Sequence, residues 1–240
     1  MEGYEAFKKL RMKSGLSVRG FSAAADISPR SLSYYENGEK SLLYVPVEKA
    51  IRIFSLFNVK ISAFYQEYYP YIVICTEVAV SKWKTANKRE VSREIISRRL
   101  KNRIYKIKER KQETYFSFSE ILEIYEKQMS LLSDELGDRD EVSEEEYDQY
   151  VMPVIYTIRK TGSTISSDPV TSSMMEAYYH TEYRFSDLAF LSGITQQSLK
   201  GRINRNELNK LHIETMLKLC LILGINFEEL FGVKTDENST

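Results

Sequence analysis

Cysteine and histidine each occur only twice in these 240 residues. Cys75 and Cys220 stand far apart, each inside an apolar pattern, which predicts two buried free thiols and suits a reducing cytoplasm rather than a disulfide framework. Neither they nor His180 and His212 form a pair with zinc-ligand spacing, so no metal site is expected. Glycine and proline are also sparse, at 10 and 5. No glycine-rich phosphate loop and no recurring acid pair emerges, so neither an enzyme nor a bound cofactor is expected. The most apolar run, Tyr71 to Cys75, falls far short of the ~20 residues that a membrane helix needs. Met1-Glu2-Gly3-Tyr4 leads straight into a charged amphipathic pattern, the opposite of a signal peptide. Formal net charge is zero, so global charge says nothing of a polyanionic partner.

Charge by segment says more. Residues 71–112 carry 13 Lys and Arg against 4 Asp and Glu, and residues 113–170 carry 4 against 14. Within the basic part, Val91, Ile95, Ile96, Leu100, Ile104 and Ile107 recur at three and four. This predicts a helix over 88–111 with one apolar stripe and a basic remainder that includes Arg98, Arg99 and Arg103. Two uses are open to it: a phosphate-contacting arm, or a solvated face paired with the acidic stretch from Asp134 to Asp148.

Elsewhere the periodicity is helical. A first helix is expected over 4–14 with Gly15 as its stop. A helix opening at Pro46 should bury Val47, Ile51 and Phe54, and another should start near Ser62. Residues 68–80 read equally as a short strand or a helix. Phe118, Ile121, Leu122, Tyr125, Met129 and Leu132 mark an amphipathic helix that packs either within the middle of the chain or across a dimer seam. Leu136 to Gln149 reads as an acidic loop entering a helix near Ser143, and residues 161–173 as a flexible connection. At 42% hydrophobic content, the chain can build two or three small cores, with boundaries expected near 70 and 170.

The densest pattern is Ser17 to Gly38. Phe21, Ala25, Ile27, Leu32 and Tyr35 are spaced so that two short helices, joined by a turn around Asp26 to Ser28, bury one shared face. The Leu16-Ser17 start, the Phe21-Ser22 pair, the Ile27-Ser28 turn and the Leu32-Ser33-Tyr34-Tyr35-Glu36-Asn37-Gly38 exit make residues 4–69 resemble a Cro/Xre-type, phage-repressor-like helix-turn-helix domain of about five helices. A departure is Pro29, where the family often has Gln at the first exposed position of the recognition helix.

Sliding the chain by 167 positions finds a second copy. Phe21 meets Leu188, Ser22 Ala189, Ile27 Ile194, Ser28 Thr195, Leu32 Leu199 and Asn37 Asn204. After the next loop the offset is 166, and Glu48 meets Glu214, Ile51 Leu217 and Phe64 Leu230. Residues 172–232 therefore look similar to the same family. In that register Arg205 replaces Gly38 and Ile203 replaces Glu36, so either a changed helix exit or a drift from DNA binding toward a packing role is expected.

The reading is an all-α protein with two such domains, 1–70 and 171–240, joined by a mainly helical 71–170. The resemblance implies a DNA-binding regulator, a repressor in the cytoplasm, in which Ser28, Arg30, Ser31, Tyr34, Gln196, Gln197 and Lys200 face bases. Phosphate contacts fall to Ser17, Arg19, Asn37, Lys40, Thr195 and Arg202, with Arg98, Arg99 and Arg103 if the basic arm takes part. Arg can pair bidentately with guanine and Gln with adenine. The expected partner is double-stranded DNA, bound by a homodimer whose first copies pair; a single chain spanning two unlike half-sites is the competing arrangement. The alternative function is a mobile-element inhibitor, anti-CRISPR-like, that grips a protein or ribonucleoprotein.

Overall fold

The computed structural model describes residues 1–87, 91–108, 115–162 and 166–233. Apart from one two-residue ladder it is all-α.

The first five helices are α1 (Gly3–Lys13), α2 (Val18–Ala24), α3 (Pro29–Glu36), α4 (Val47–Ser55) and α5 (Ile61–Tyr68). Side-chain caps start two of them. The Ser17 hydroxyl accepts from the Gly20 N–H at 3.1 Å, and the Ser28 hydroxyl accepts from the Ser31 N–H at 3.0 Å. Each satisfies a first-turn donor that has no partner inside the helix. Pro29 occupies the first turn of α3, where its missing N–H costs nothing. Phe7, Phe21, Phe54 and Phe57 form an aromatic core in which Phe21 stacks on Phe57 at 5.2 Å and meets Phe7 edge-on at 6.3 Å. Ile51 is only half-buried. The helical register of α4 instead turns Ala50 and Ile53 inward beside Val47 and Phe54.

Residues 71–87 settle as one helix, α6 (Tyr71–Asn87). It buries Ile72 and Thr76, one turn apart, and exposes Tyr71, Ile74, Cys75 and Val78. Cys75 is therefore not the buried thiol expected, because helical rather than strand periodicity rotates it to the outer side. Next come β1 (Val91–Ser92), α7 (Arg93–Lys108), α8 (Phe118–Leu136) and β2 (Glu141–Val142). β1 and β2 pair antiparallel, Val91 opposite Val142. A short turn, α9 (Glu144–Glu146), is capped by Ser143 and runs through a π turn over Tyr147–Val151 into α10 (Met152–Thr161). Ile96, Leu100 and Ile104 of α7 share a core with Ile121, Tyr125 and Leu132 of α8 and with Val154 of α10. The apolar face of α8 is thus spent inside this core. Residues 88–90 and 109–111 of the expected basic helix lie outside the described residues.

The last five helices repeat the first five in order: α11 (Pro169–Tyr179), α12 (Phe185–Ser192), α13 (Gln196–Asn204), α14 (Ile213–Leu223) and α15 (Phe227–Leu230). Backbone turns repeat too. Asp26 (φ 53°) matches Gly193 (φ 75°), and Asn58 (φ 50°) matches Gly224 (φ 66°). Left-handed backbone favours Gly, Asn and Asp, which explains who occupies these sites. The exit of α3 takes its left-handed turn at Gly38 (φ 72°), but the exit of α13 takes it at Asn206 (φ 54°). α13 runs one residue further, so Arg205 sits at an ordinary φ of −99° and bears none of the strain that its register with Gly38 suggested. The following loop is two residues shorter, which gives the later offset of 166.

The chain divides into two compact units at places other than 70 and 170. One comprises Met1–Trp83, Asp168–Met174 and Arg184–Thr240, and the other Lys84–Ser167 and Met175–Tyr183. Both helix-turn-helix copies thus meet in the first unit. The second unit keeps the end of α11 through polar contacts: Arg159 donates to the Tyr183 carbonyl at 2.7 Å, Tyr156 donates to Glu176 at 2.6 Å, and Lys160 pairs with Glu176 at 3.1 Å.

Candidate nucleic-acid interface

In the first copy the inward side of α3 is anchored by Leu32, fully buried, and by Glu36. Ser28 and Arg30 are exposed on the opposite side, with Ser31 and Tyr34 half-buried beside them. Arg30 does not stand alone. Its Nε donates to the Tyr34 hydroxyl, its guanidinium lies 5.4 Å from the Tyr34 ring centre, and Lys40 approaches the same ring at 5.1 Å. One aromatic ring therefore holds two cations on the outer surface, a guanidinium suited to bidentate pairing and an ammonium suited to a phosphate. Arg30, expected at a base, and Lys40, expected at a phosphate, thus stand together on one ring.

The predicted flanking residues are placed as follows. Ser17 and Ser28 spend their hydroxyls on capping, each accepting from a first-turn N–H of the helix that it opens. Arg19 is exposed, and Asn37 is exposed with its amide donating to the Ser33 hydroxyl at 3.3 Å. Asp26 pairs on the surface with Arg52.

In the second copy Thr195 caps α13 by accepting from the Ser198 N–H at 3.2 Å, the counterpart of Ser28. Gln196, Gln197 and Lys200 are exposed, and Leu199 is fully buried beneath them. Arg202 is different. It is half-buried and pairs with Glu207 at 3.3 Å, and the same carboxylate also holds Arg205 at 2.9 Å and Lys210 at 2.6 Å. Hydrogen bonds from Lys210 and Arg205 draw the Glu207 carboxyl down to about 2. This hub was missed in the sequence, although three cations within five residues of one acid were visible there.

Arg98, Arg99 and Arg103 belong to the other unit, exposed on α7 around its buried Ile96, Leu100 and Ile104 stripe. The acidic stretch nearby is partly used in local folding. Glu146 completes the cap at Ser143 and pairs with Arg139 at 2.7 Å, contacts that hold its carboxyl below the usual range. Among the described residues no helix is long and apolar enough to cross a membrane.

Residues 7–64 match the family model described as helix-turn-helix, and residues 180–236 match the one described as Cro/C1-type DNA-binding helix-turn-helix domain. No curated protein and no solved structure matches the chain.

Proposed function

We propose that the chain is a sequence-specific DNA-binding repressor acting in the cytoplasm, a reading supported by the helix-turn-helix match over residues 7–64 and the Cro/C1-type match over residues 180–236. The observation that carries this reading is the outward presentation of Arg30, Gln196 and Gln197 on two recognition helices whose opposite faces are buried at Leu32 and Leu199. Arg30 fits the O6 and N7 atoms of guanine, and the glutamines fit the N6 and N7 atoms of adenine. Arg19, Asn37 and Lys40, all exposed in the first copy, supply phosphate contacts that fix register without reading sequence. Repression then follows from occupancy: a protein seated across a promoter excludes the polymerase.

A gel shift with DNA from upstream of its own gene tests the reading. Binding should survive excess unrelated DNA and weaken with salt, by a slope of about 0.9 per phosphate contact. A reporter driven by that DNA should fall when the protein is supplied. Absence of a specific shift, together with capture of a defence ribonucleoprotein, would replace this reading with the inhibitor alternative.

A further inference from the structure

The two copies touch through positions that are each other's equivalents. Pro46 faces His212 in an antiparallel bridge; Val47 N–H donates to the Leu211 carbonyl at 2.9 Å, and Ile213 N–H donates to the Val45 carbonyl at 2.9 Å. A shift of 166 turns Val47 into Ile213 and Val45 into Leu211, so the two hydrogen bonds are one bond repeated with the copies exchanged. Pro46 and His212 form the pair that makes no hydrogen bond in such a bridge, so the absent proline N–H is not missed. A second self-matched contact lies between α5 and α15. Ser62 and Glu228 are also 166 apart; the Ser62 N–H donates to the Glu228 carboxylate at 2.9 Å, and the Ser62 hydroxyl lies 2.8 and 2.9 Å from its two oxygens.

An operation that carries the first copy onto the second and the second back onto the first is a half-turn, the relation within an isologous dimer. Its axis passes between Pro46 and His212 and between Ser62 and Glu228. Because α3 and α13 are equivalent elements of the two copies, a half-turn that exchanges the copies would relate these helices too. That is the symmetry by which paired recognition helices address two major-groove segments about one turn apart.

We infer that one chain is a complete two-headed reader: a pseudo-twofold pair that binds as a monomer to one duplex carrying two unlike half-sites. This rests on the DNA-binding reading above. The pairing surface that a homodimer of first copies would use is occupied by the second copy of the same chain. Its chemistry also selects unlike partners. Two first copies would set Ser62 against Ser62 with no carboxylate to receive its protons, and two second copies would set Glu228 against Glu228, two like charges in a buried seam. Glu228 is 7% exposed in the pair observed. The heads differ as well, since Pro29-Arg30 stands where the second copy has Gln196-Gln197.

The test is selection of the full-length protein on a random-sequence duplex library, followed by native mass spectrometry on the selected duplex. The inference expects one chain per duplex and two dissimilar half-motifs about 10 base pairs apart. Arg30→Ala should erase the preference in one half and Gln197→Ala in the other. Insertion of about five base pairs between them turns one half-site to the opposite side of the duplex and should cut affinity by about 100-fold or more, because the heads no longer bind together. A palindrome carrying two chains, or a single half-motif, overturns the inference and leaves the DNA-binding reading standing. Enrichment of no sequence at all overturns both.

Discussion

Arg11 on α1 and Glu36 on α3 form a two-pronged ion pair inside the first copy. Arg11 Nε and Nη2 address the two carboxylate oxygens, Nη2 at 3.2 Å, and Nη1 donates to the Leu16 carbonyl at 3.3 Å. Both side chains are almost wholly buried, at 11% and 7% exposure. At the corresponding sequence positions the second copy has Tyr178 and Ile203, neither of them charged.

Removal of one partner leaves the other charged and buried. Arg11→Ala or Glu36→Ala should each destabilise the full chain by about 3–5 kcal/mol. The double variant Arg11→Tyr with Glu36→Ile removes both charges together and should cost less than either single change in denaturant unfolding. A double variant as costly as the two singles combined would contradict this account.

Ser22 is buried, and its hydroxyl has no hydrogen-bond partner among the described residues. The second copy has Ala189 there. Ser22→Ala should be neutral or stabilising by up to about 1 kcal/mol, because a desolvated hydroxyl without a partner is relieved. A loss of stability in thermal unfolding would show that the hydroxyl does make a stabilising contact.

The thiols should separate by reactivity. Cys75 is exposed, whereas burial pushes the Cys220 thiol up to about 12. Native protein treated with iodoacetamide at neutral pH should take one label, at Cys75, and a second only after unfolding. Peptide mapping reads the outcome, and early labelling of Cys220 would mean that the core of the second copy opens readily.

Glu207 gives acid sensitivity a location. Its carboxyl is lowered from 4.5 to about 2 by Lys210 and Arg205. A depressed folded-state value means that the contribution is complete above about 4.5 and is lost as pH falls toward about 2. Glu207→Gln should flatten stability against pH across that window and change its shape little at neutral pH. An unchanged acid limb would assign the effect elsewhere.

Tyr34 holds Arg30 by its hydroxyl and its ring. Arg30→Ala should cost about 1–3 kcal/mol on the preferred site and relax specificity there, whereas Lys40→Ala should weaken all sequences alike. Tyr34→Phe keeps the ring and removes the hydroxyl, so it should blunt discrimination with little loss of non-specific affinity. Competition titrations with specific and random duplexes separate the two.

Local features of this fold were readable from the chain. The turn around Asp26 to Ser28 and the buried Leu32 and Leu199 follow from short-range spacing, where steric and hydrogen-bonding preferences act within one or two turns. Cys75 was misplaced because a short apolar run looks alike in strand and helix, and only the rotation of α6 decides which side faces out. The one-residue extension of α13 moved the left-handed position from Arg205 to Asn206, a shift that alignment by offset alone could not register. The approach of Lys40 to the Tyr34 ring and the Val47–Leu211 bond were hidden for another reason. They depend on where side chains and distant loops meet, which no periodicity encodes.

The Ser62–Glu228 contact also bears on how such a protein changes over generations. In a symmetric dimer every substitution in a recognition helix arrives twice and must suit both halves of the target at once. Arg30 and Gln197 each occur once within the pair, so a single codon change alters one half of the target and leaves the other as an anchor. The same asymmetry guards the chain against mixing with close relatives, because a foreign copy meets a surface already filled by its own covalently attached mate. Duplication followed by unlike pairing thus lets recognition drift one half at a time while assembly stays private to the chain.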